Sequence, residues 1–208
     1  YDKPEYQKIR DAYVAYISRM LELSGIPAAD AAAQAKDVLA FESRLAKVSK
    51  SREALSRDVG LYYNPVSPAE ADKLSPNFPF TKLFESQGVA VPAMFSLSVP
   101  AYHAEVSKML GDVPVAQWQG YLRFHLLDGA APYLSDDFVQ AHFEFYGKTL
   151  GGQKELRERG KRVLGTIDGQ VGEALGQMYV KVAFPAESKA KMETLIKNLG
   201  DALKLRIE

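Results

Sequence analysis

The chain has 208 residues, with 26 basic side chains against 26 acidic ones, three histidines and no cysteine. That balance excludes the positive footprint of a nucleic-acid binder or a polybasic membrane-surface protein. The lack of cysteine excludes a disulfide framework, a thiolate nucleophile and a thiolate zinc site, while leaving the redox compartment open.

No segment is expected to cross a membrane. The longest apolar run, Val89 to Phe95, is broken by Pro92 and falls far short of the roughly 20 residues that a bilayer requires. The opening residues, Tyr1 to Tyr6, are polar and carry neither an initiator Met nor the regions of a signal peptide. Glu208 closes a helix-like run. Both ends read as cuts, so the chain is expected to be a segment of a longer protein.

From Glu5 onward, Tyr6, Ile9, Tyr13, Tyr16, Ile17, Met20 and Leu21 recur at steps of three and four, the stripe of an amphipathic helix. Ser24-Gly25 ends it. Pro27 suits the first turn of a second helix, whose Ala31, Ala35, Val38, Leu39, Leu45 and Val48 continue to about Ser49. The pair is expected to form an antiparallel hairpin.

Six of the eleven prolines lie between Pro65 and Pro100, which breaks any long helix there. Within this irregular middle, Ser67-Pro68-Ala69-Glu70 reads as a capping box that starts a short helix. Phe80 to Gln87 reads as another, stopped by Gly88, and Ala93 to Val99 alternates enough for a lone extended segment.

The helical period returns after Pro100. One helix runs to Leu110 with Gly111 as its stop. The next runs from Pro114 to about Leu134 with Val115, Trp118, Leu122 and Leu126 on one face. Ser135-Asp136-Asp137 caps a third that carries Phe138, Val139, His142, Phe143, Tyr146 and Leu150, and Gly151-Gly152 closes it.

Between Gln153 and Phe184 five glycines, at 160, 165, 169, 172 and 176, interrupt a helical pattern. At about 0.8 to 1 kcal/mol each they would cost on the order of 4 to 5 kcal/mol. Either the helix breaks near Gly165 or Gly169, or close packing against the bare backbone offsets the loss. Close packing from Gly172 onward is the preferred reading. Pro185 ends the segment, and Ala186 to Ile207 forms a last helix with Met192, Leu195, Ile196, Leu199, Ala202 and Leu203 inward. With no repeat and no long linker, the expectation is one all-α domain of eight or nine antiparallel helices with an irregular proline-rich middle.

Chemistry is sparse. None of His103, His125 and His142 has a second histidine three or four residues on, so no helical zinc motif exists. His142-x-Glu144 resembles the start of a zinc deaminase signature without the cysteine pair which that chemistry needs. His125 could act as a general base with Asp128, or be a hydrogen-bonded boundary histidine. Lys154, Arg157, Arg159, Lys161 and Arg162 could face an anion, but Glu155 and Glu158 stand at ion-pairing positions among them, so a solvated face is preferred. Trp118, Tyr121, Phe124, Phe138, Phe143, Phe145 and Tyr146 could line an apolar pocket, although aromatics at this spacing are usually core. No catalytic, cofactor-binding or metal residue is assigned.

Two stretches carry more. Leu175-Gly-Gln-Met-Tyr-Val180, continuing through Phe184 to Glu187-Ser-Lys189, resembles a signature of the neprilysin and endothelin-converting-enzyme family of zinc metalloendopeptidases. Tyr121-Leu-Arg-Phe-His125 looks like that family's Trp-Arg-Phe segment. Leu61-Tyr-Tyr-Asn64 and the helix from Tyr6 to Leu23 add support, so that the resemblance covers essentially all 208 residues.

The resemblance implies the N-terminal helical region, a lid that packs over the catalytic domain of the same protein and encloses a cavity admitting small peptide substrates. It implies zinc in the parent enzyme, held by a His-Glu-x-x-His helix and a later glutamate, neither of which is in this sequence. The chain alone is therefore expected to be inactive. Met178 stands where leucine is usual, a mild change that keeps the volume; animal members carry cysteines across this region where this chain has none, with Val163 at one such position, which points to a bacterial member, and the resemblance itself implies export, to the periplasm or the cell envelope. The rival reading is a stand-alone helical module that binds a peptide or protein without catalysis.

Overall fold

A computed structural model describes residues 3–207; the chain ends, Tyr1–Asp2 and Glu208, lie outside the described residues. The chain divides into two compact units, Tyr1–Lys154 and Glu155–Glu208. The all-α expectation holds: ten α-helices and one π-helical segment are described, with a single two-residue strand pair.

The first unit is founded on the expected hairpin, α1 (Gln7–Leu23) packed on α2 (Ala28–Val48). Its turn follows from Gly25, which takes φ +95°, a value that L side chains rarely adopt. With Gly25 in place, the amides of Gly25 and Ile26 reach back to the carbonyls of Glu22 and Leu21 in a Schellman closure. The two apolar stripes meet as forecast: Ile17, Met20, Leu21, Ala31 and Ala35 are completely buried.

The irregular middle holds α3 (Arg52–Arg57), α4 (Pro68–Leu74) and α5 (Phe80–Ser86). Helix α3 was not foreseen, because six residues are too few to show a period; it is set by Ser51, whose hydroxyl accepts from the Ala54 amide at 3.1 Å. The capping box at α4 is complete, with the Ser67 amide donating to Glu70 Oε2 at 2.8 Å and the Glu70 amide to Ser67 Oγ at 3.3 Å. The extended segment is not alone: β2 (Phe95–Ser96) pairs antiparallel with β1 (Pro65–Val66). This pairing closes a small second core of Ala71, Phe80 and Leu97.

Next come α6 (Pro100–Asp112), α7 (Val115–Ala130) and α8 (Asp136–His142), the last running directly into the π-helical segment Phe143–Leu150. Ser135 occupies the N-cap of α8 without a side-chain capping bond. Helix α7 departs from the expected orientation. Phe124 is completely buried, whereas Val115, Leu122 and Leu126 are 72%, 58% and 73% exposed. Both faces of α7 carry apolar residues, so periodicity could not choose between them; Tyr121, Phe124 and Leu127 win because they meet the α1–α2 hairpin.

The second unit consists of α9 (Arg159–Ala183) and α10 (Ala186–Ile207). Helix α9 breaks at Val171, which sits at φ −131° and ψ 18° between Gly169 and Gly172. That matches the break considered for the glycine run. The preferred alternative, close packing from Gly172 onward, is not found among the described residues: a Cβ added at Gly172 would meet only the Asp168 side chain of the same helix, at 3.1 Å, and one at Gly176 would meet nothing within 4 Å. Nor are Met192, Leu195, Ile196, Leu199 and Leu203 inward, since each is at least half exposed.

Candidate functional site

The polar groups that matter lie inside the first unit, where α1, α2, α7 and the π-helical segment converge. Position 42 belongs to the apolar stripe of α2, one step beyond Val38, so a carboxylate there faces the neighbouring helices rather than water. Glu42 Oε1 accepts the Tyr13 hydroxyl from α1 and His125 Nε2 from α7, each at 2.9 Å. A carboxylate only accepts, which fixes the imidazole proton on Nε2.

One turn further along α7, Asp128 repeats the arrangement. Its Oδ1 accepts the Tyr16 hydroxyl at 2.6 Å and its Oδ2 accepts that of Tyr146 at 3.1 Å. His125 and Asp128, paired in the sequence reading as base and partner, thus serve different carboxylate–tyrosine clusters and do not act on one another. Phe145 fills the space between the two clusters. Its ring stacks on Tyr16 at 5.0 Å and lies 5.2 Å from Tyr13, and Tyr16 also meets Phe124 edge-on at 5.9 Å.

The electrostatics match donors locked in the protonated form. Burial, reinforced by Glu42, drives the Tyr13 phenol far above its ordinary value; burial and the bond to Asp128 do the same for Tyr16. Tyr146 moves in the same direction, chiefly through burial and the Asp128 charge. None of these phenols is a nucleophile or a base. Beside them runs a groove of about 570 Å³ lined by Tyr13, Leu39, Glu42, Ala46, Phe145 and Tyr146. Its one carboxylate is already engaged by two donors, and Arg10 stands on the same wall, so the groove offers apolar surface with one guanidinium beside it.

The remaining candidates are dispersed. His142 lies against Tyr146 at 4.6 Å, with its pKa lowered by burial against a smaller opposing pull from Asp128. His103 packs on Phe80 at 5.4 Å in the other core and is likewise lowered by burial. Among the described residues no three His, Cys, Asp or Glu side chains come close enough to hold a metal ion. Of the basic run, Lys161 pairs with Glu158 at 3.8 Å and Arg162 Nε donates to the Arg157 carbonyl at 3.0 Å, the local bonding of a solvated helix start. Gly152, at φ +67°, terminates the π-helical segment as expected. Phe124, Phe143 and Phe145 are buried, and Trp118 and Tyr121 pack on Phe41 at 4.6 and 4.2 Å, so most of the aromatic run is core, while Phe145 and Tyr146 also form part of the groove wall. Glu42 was missed, and its signal was a carboxylate inside an otherwise apolar stripe.

Comparison with known proteins gives these features a setting. The model of peptidase family M13, for its N-terminal part, matches residues 1–208. Endothelin-converting enzyme-like 1 of Rattus norvegicus is 29% identical over 206 residues, covering 97% of this chain and 26% of its own. Neutral endopeptidase of Lactobacillus helveticus is 28% identical over 207 residues, covering 100% of this chain and 32% of its own. The zinc metalloprotease Zmp1 of Mycobacterium tuberculosis in its open state superposes with a TM-score of 0.84 at 30% identity, over 97% of this chain and 32% of that one. The chain thus spans between a quarter and a third of the length of these relatives.

Proposed function

This chain belongs to peptidase family M13, and from that premise we propose that it is the non-catalytic helical lid of a zinc metalloendopeptidase that cleaves small peptides. The observation that carries the reading is the likeness to Zmp1, a zinc metalloprotease, over 97% of this chain but only 32% of that one. Likeness of that extent to part of a longer protein supports reading the chain as one region of such an enzyme.

The described residues do not fit zinc. Nε2 of His125 is spent on Glu42, and His103 and His142 sit in separate aromatic settings. The metal and its chemistry, attack of an activated water on a peptide carbonyl, are therefore assigned to the remainder of the polypeptide. What this chain contributes is a wall. The tyrosine–carboxylate clusters tie α1, α2, α7 and the π-helical segment together, and a wall held in that way admits short flexible peptides while refusing folded proteins. Its partners are the catalytic part of the same protein and the peptide substrate. The parent is placed outside the cytoplasm of a bacterium, in the periplasm or at the cell envelope.

The test uses the full polypeptide with zinc and one scissile sequence presented in a short peptide and in a folded host. Cleavage of the peptide alone is expected. Equal cleavage of both removes the size-sorting role. A reading frame without His-Glu-x-x-His removes the peptidase reading and leaves the stand-alone binding module.

A further inference from the structure

The apolar residues of α9 are spaced for a straight helix, yet the helix is broken. Leu164, Ile167, Val171, Leu175, Met178 and Val182 follow one another at steps of three, four, four, three and four. On an unbroken helix those steps fall on one line roughly 27 Å long. Val171, in the middle of that line, sits at φ −131° and ψ 18°, and among the described residues α9 is the one helix with a non-helical residue in its interior. A break there takes the two halves of the line out of register. Glycine stands on both sides, Gly169 two residues before Val171 and Gly172 directly after it, and sharp bends in helices fall where such residues interrupt them.

We infer that residues 169–172 are a joint at which α9 passes between the bent form described above and a straight form, carrying the residues after Gly172 with it. The inference goes beyond the lid reading and does not depend on it. Three observations favour a joint over a fixed kink. Nothing among the described residues clamps the bend: a Cβ at Gly169 would meet nothing within 4 Å, one at Gly172 would meet only the Asp168 side chain of the same helix, and all six residues of the apolar line are at least 39% exposed. The local chemistry sets the two forms against each other rather than forbidding one. Straightening restores an unbroken run of backbone hydrogen bonds and aligns the apolar residues, whereas each glycine held in helical geometry opposes it through lost chain entropy. A permanent kink is the work of proline, which removes an amide and excludes the straight form, and α9 contains none. Finally, one relative does not keep a single shape across the span that this chain matches. The Mycobacterium tuberculosis protease superposes with TM-scores of 0.84 in its open state and 0.85 in an inhibitor complex but 0.73 in a partial open state, at coverages of this chain of 97%, 98% and 95%. That is a difference in internal shape between those structures.

Labels placed within α9 read the joint alone. In a cysteine-free background of the full polypeptide, Lys161→Cys and Lys181→Cys, both at exposed positions, are spin-labelled and their separation is measured by double electron–electron resonance. A straight helix sets the two backbone positions about 30 Å apart. The pair Asp30→Cys and Lys47→Cys, on the unbroken α2, supplies the width of a rigid helix. Two populations are expected in α9, one at the straight-helix distance and one shorter. Gly169→Ala combined with Gly172→Ala should raise the long population relative to the short one at least about tenfold, since alanine favours the helix over glycine at each position. A single narrow population overturns the inference, at the long distance because there is no bend and at the short one because the kink is fixed. Two populations whose ratio the alanines leave unchanged overturn it as well, because the motion then lies outside 169–172. The distribution in the parent is read without any glycine variant, so a misfolded variant does not remove the test. Peptide cleavage is recorded separately on the same samples: two populations in a protein without peptidase activity would sink the lid reading and leave the joint standing.

Discussion

Tyr16→Phe removes one oxygen from the centre of the first unit and leaves the rest of the side chain in place. The ring is 5% exposed and stacked on Phe145 at an interplanar angle of 8°, so the phenylalanine keeps its packing. What is lost is the 2.6 Å bond to Asp128 Oδ1. A hydrogen bond to a charged acceptor contributes about 1.5 to 3 kcal/mol, more than a neutral pair, because the carboxylate oxygen left behind must be desolvated without a donor. Tyr146→Phe breaks the longer 3.1 Å bond to the same carboxylate from a ring that is 36% exposed, where water can replace the lost donor, and should cost only about 0.5 to 1 kcal/mol. Urea denaturation of the chain, with and without Asp128→Asn, completes the cycle. In the asparagine background the cost of Tyr16→Phe should fall by about 1 to 2 kcal/mol, since the two residues are coupled through one bond. A Tyr16→Phe variant within about 0.5 kcal/mol of the parent, with an unchanged denaturant slope, would show that the bond adds nothing and that the junction is held by its rings.

The same junction sets an alkaline limit. The phenols of Tyr13, Tyr16 and Tyr146 lie above the ordinary value of 10.0 in the folded chain, so above about pH 10 the unfolded state releases protons that the folded state retains. Stability is complete below that pH and falls above it, with Tyr16 alone contributing a slope of about 1.4 kcal/mol per pH unit, and Tyr16→Phe should flatten an alkaline melting series accordingly. On the acid side His103 and His142 are held below 6.5 by burial, so stability should decline as pH falls through that value, and His142→Gln should reduce the decline. Two glycines separate by environment. At Gly147 a Cβ would overlap the ring of Phe143, itself 6% exposed and unable to swing away, so Gly147→Ala should destabilise by about 1 to 3 kcal/mol. At Gly176 the space is open, and Gly176→Ala should raise the helix content of the 208-residue chain by the equivalent of about 0.8 to 1 kcal/mol, read by circular dichroism. Arg44 bonds Asp112 through both terminal nitrogens at 3.0 Å and also reaches Glu105, tying α2 to α6; Arg44→Lys loses the fork and should cost about 1 kcal/mol at low salt, less as salt is raised.

The hairpin, the capping box and the glycine stop after the π-helical segment were legible because each rests on local chemistry: an apolar stripe, a Ser–Glu pair three residues apart, a residue that tolerates positive φ. What was not legible depends on a neighbour. Helix α7 has two apolar faces, and only the position of α1 and α2 decides that Phe124 goes in while Leu126 stays out. The strand partner of Phe95–Ser96 lies thirty residues upstream at Pro65–Val66, in a stretch too short to alternate visibly. The change from α- to π-helical bonding within the aromatic run 143–150 has no periodic signature of its own either. For the candidate site, His125 and Asp128 were found as titratable residues, but their roles were set by a tyrosine 112 residues upstream of Asp128, another 18 residues downstream of it, and a glutamate 83 residues upstream of His125, which no spacing rule connects.

The two clusters also bear on why ionisable side chains stand among the helices of the first unit. Glu42 and Asp128 are each saturated by two donors, and those donors come from three different segments of the first unit. An apolar core tolerates sliding and repacking at small cost, whereas a partly buried carboxylate that loses a protein donor keeps an acceptor that only water can satisfy, most expensively at Tyr16, which is 5% exposed. Such a network therefore selects one relative placement of its helices over near alternatives. For a wall whose proposed task is to sort peptides by size, that uniqueness matters more than total stability, because an aperture is only as selective as its edges are fixed. The expected consequence is separable from stability: Glu42→Gln, which keeps an acceptor but weakens both bonds, should blur discrimination between short and long peptides by the full polypeptide before it lowers the melting temperature by more than a few degrees. A variant that melts much earlier yet sorts peptides as sharply as the parent would show that the clusters support the fold and have no part in the aperture.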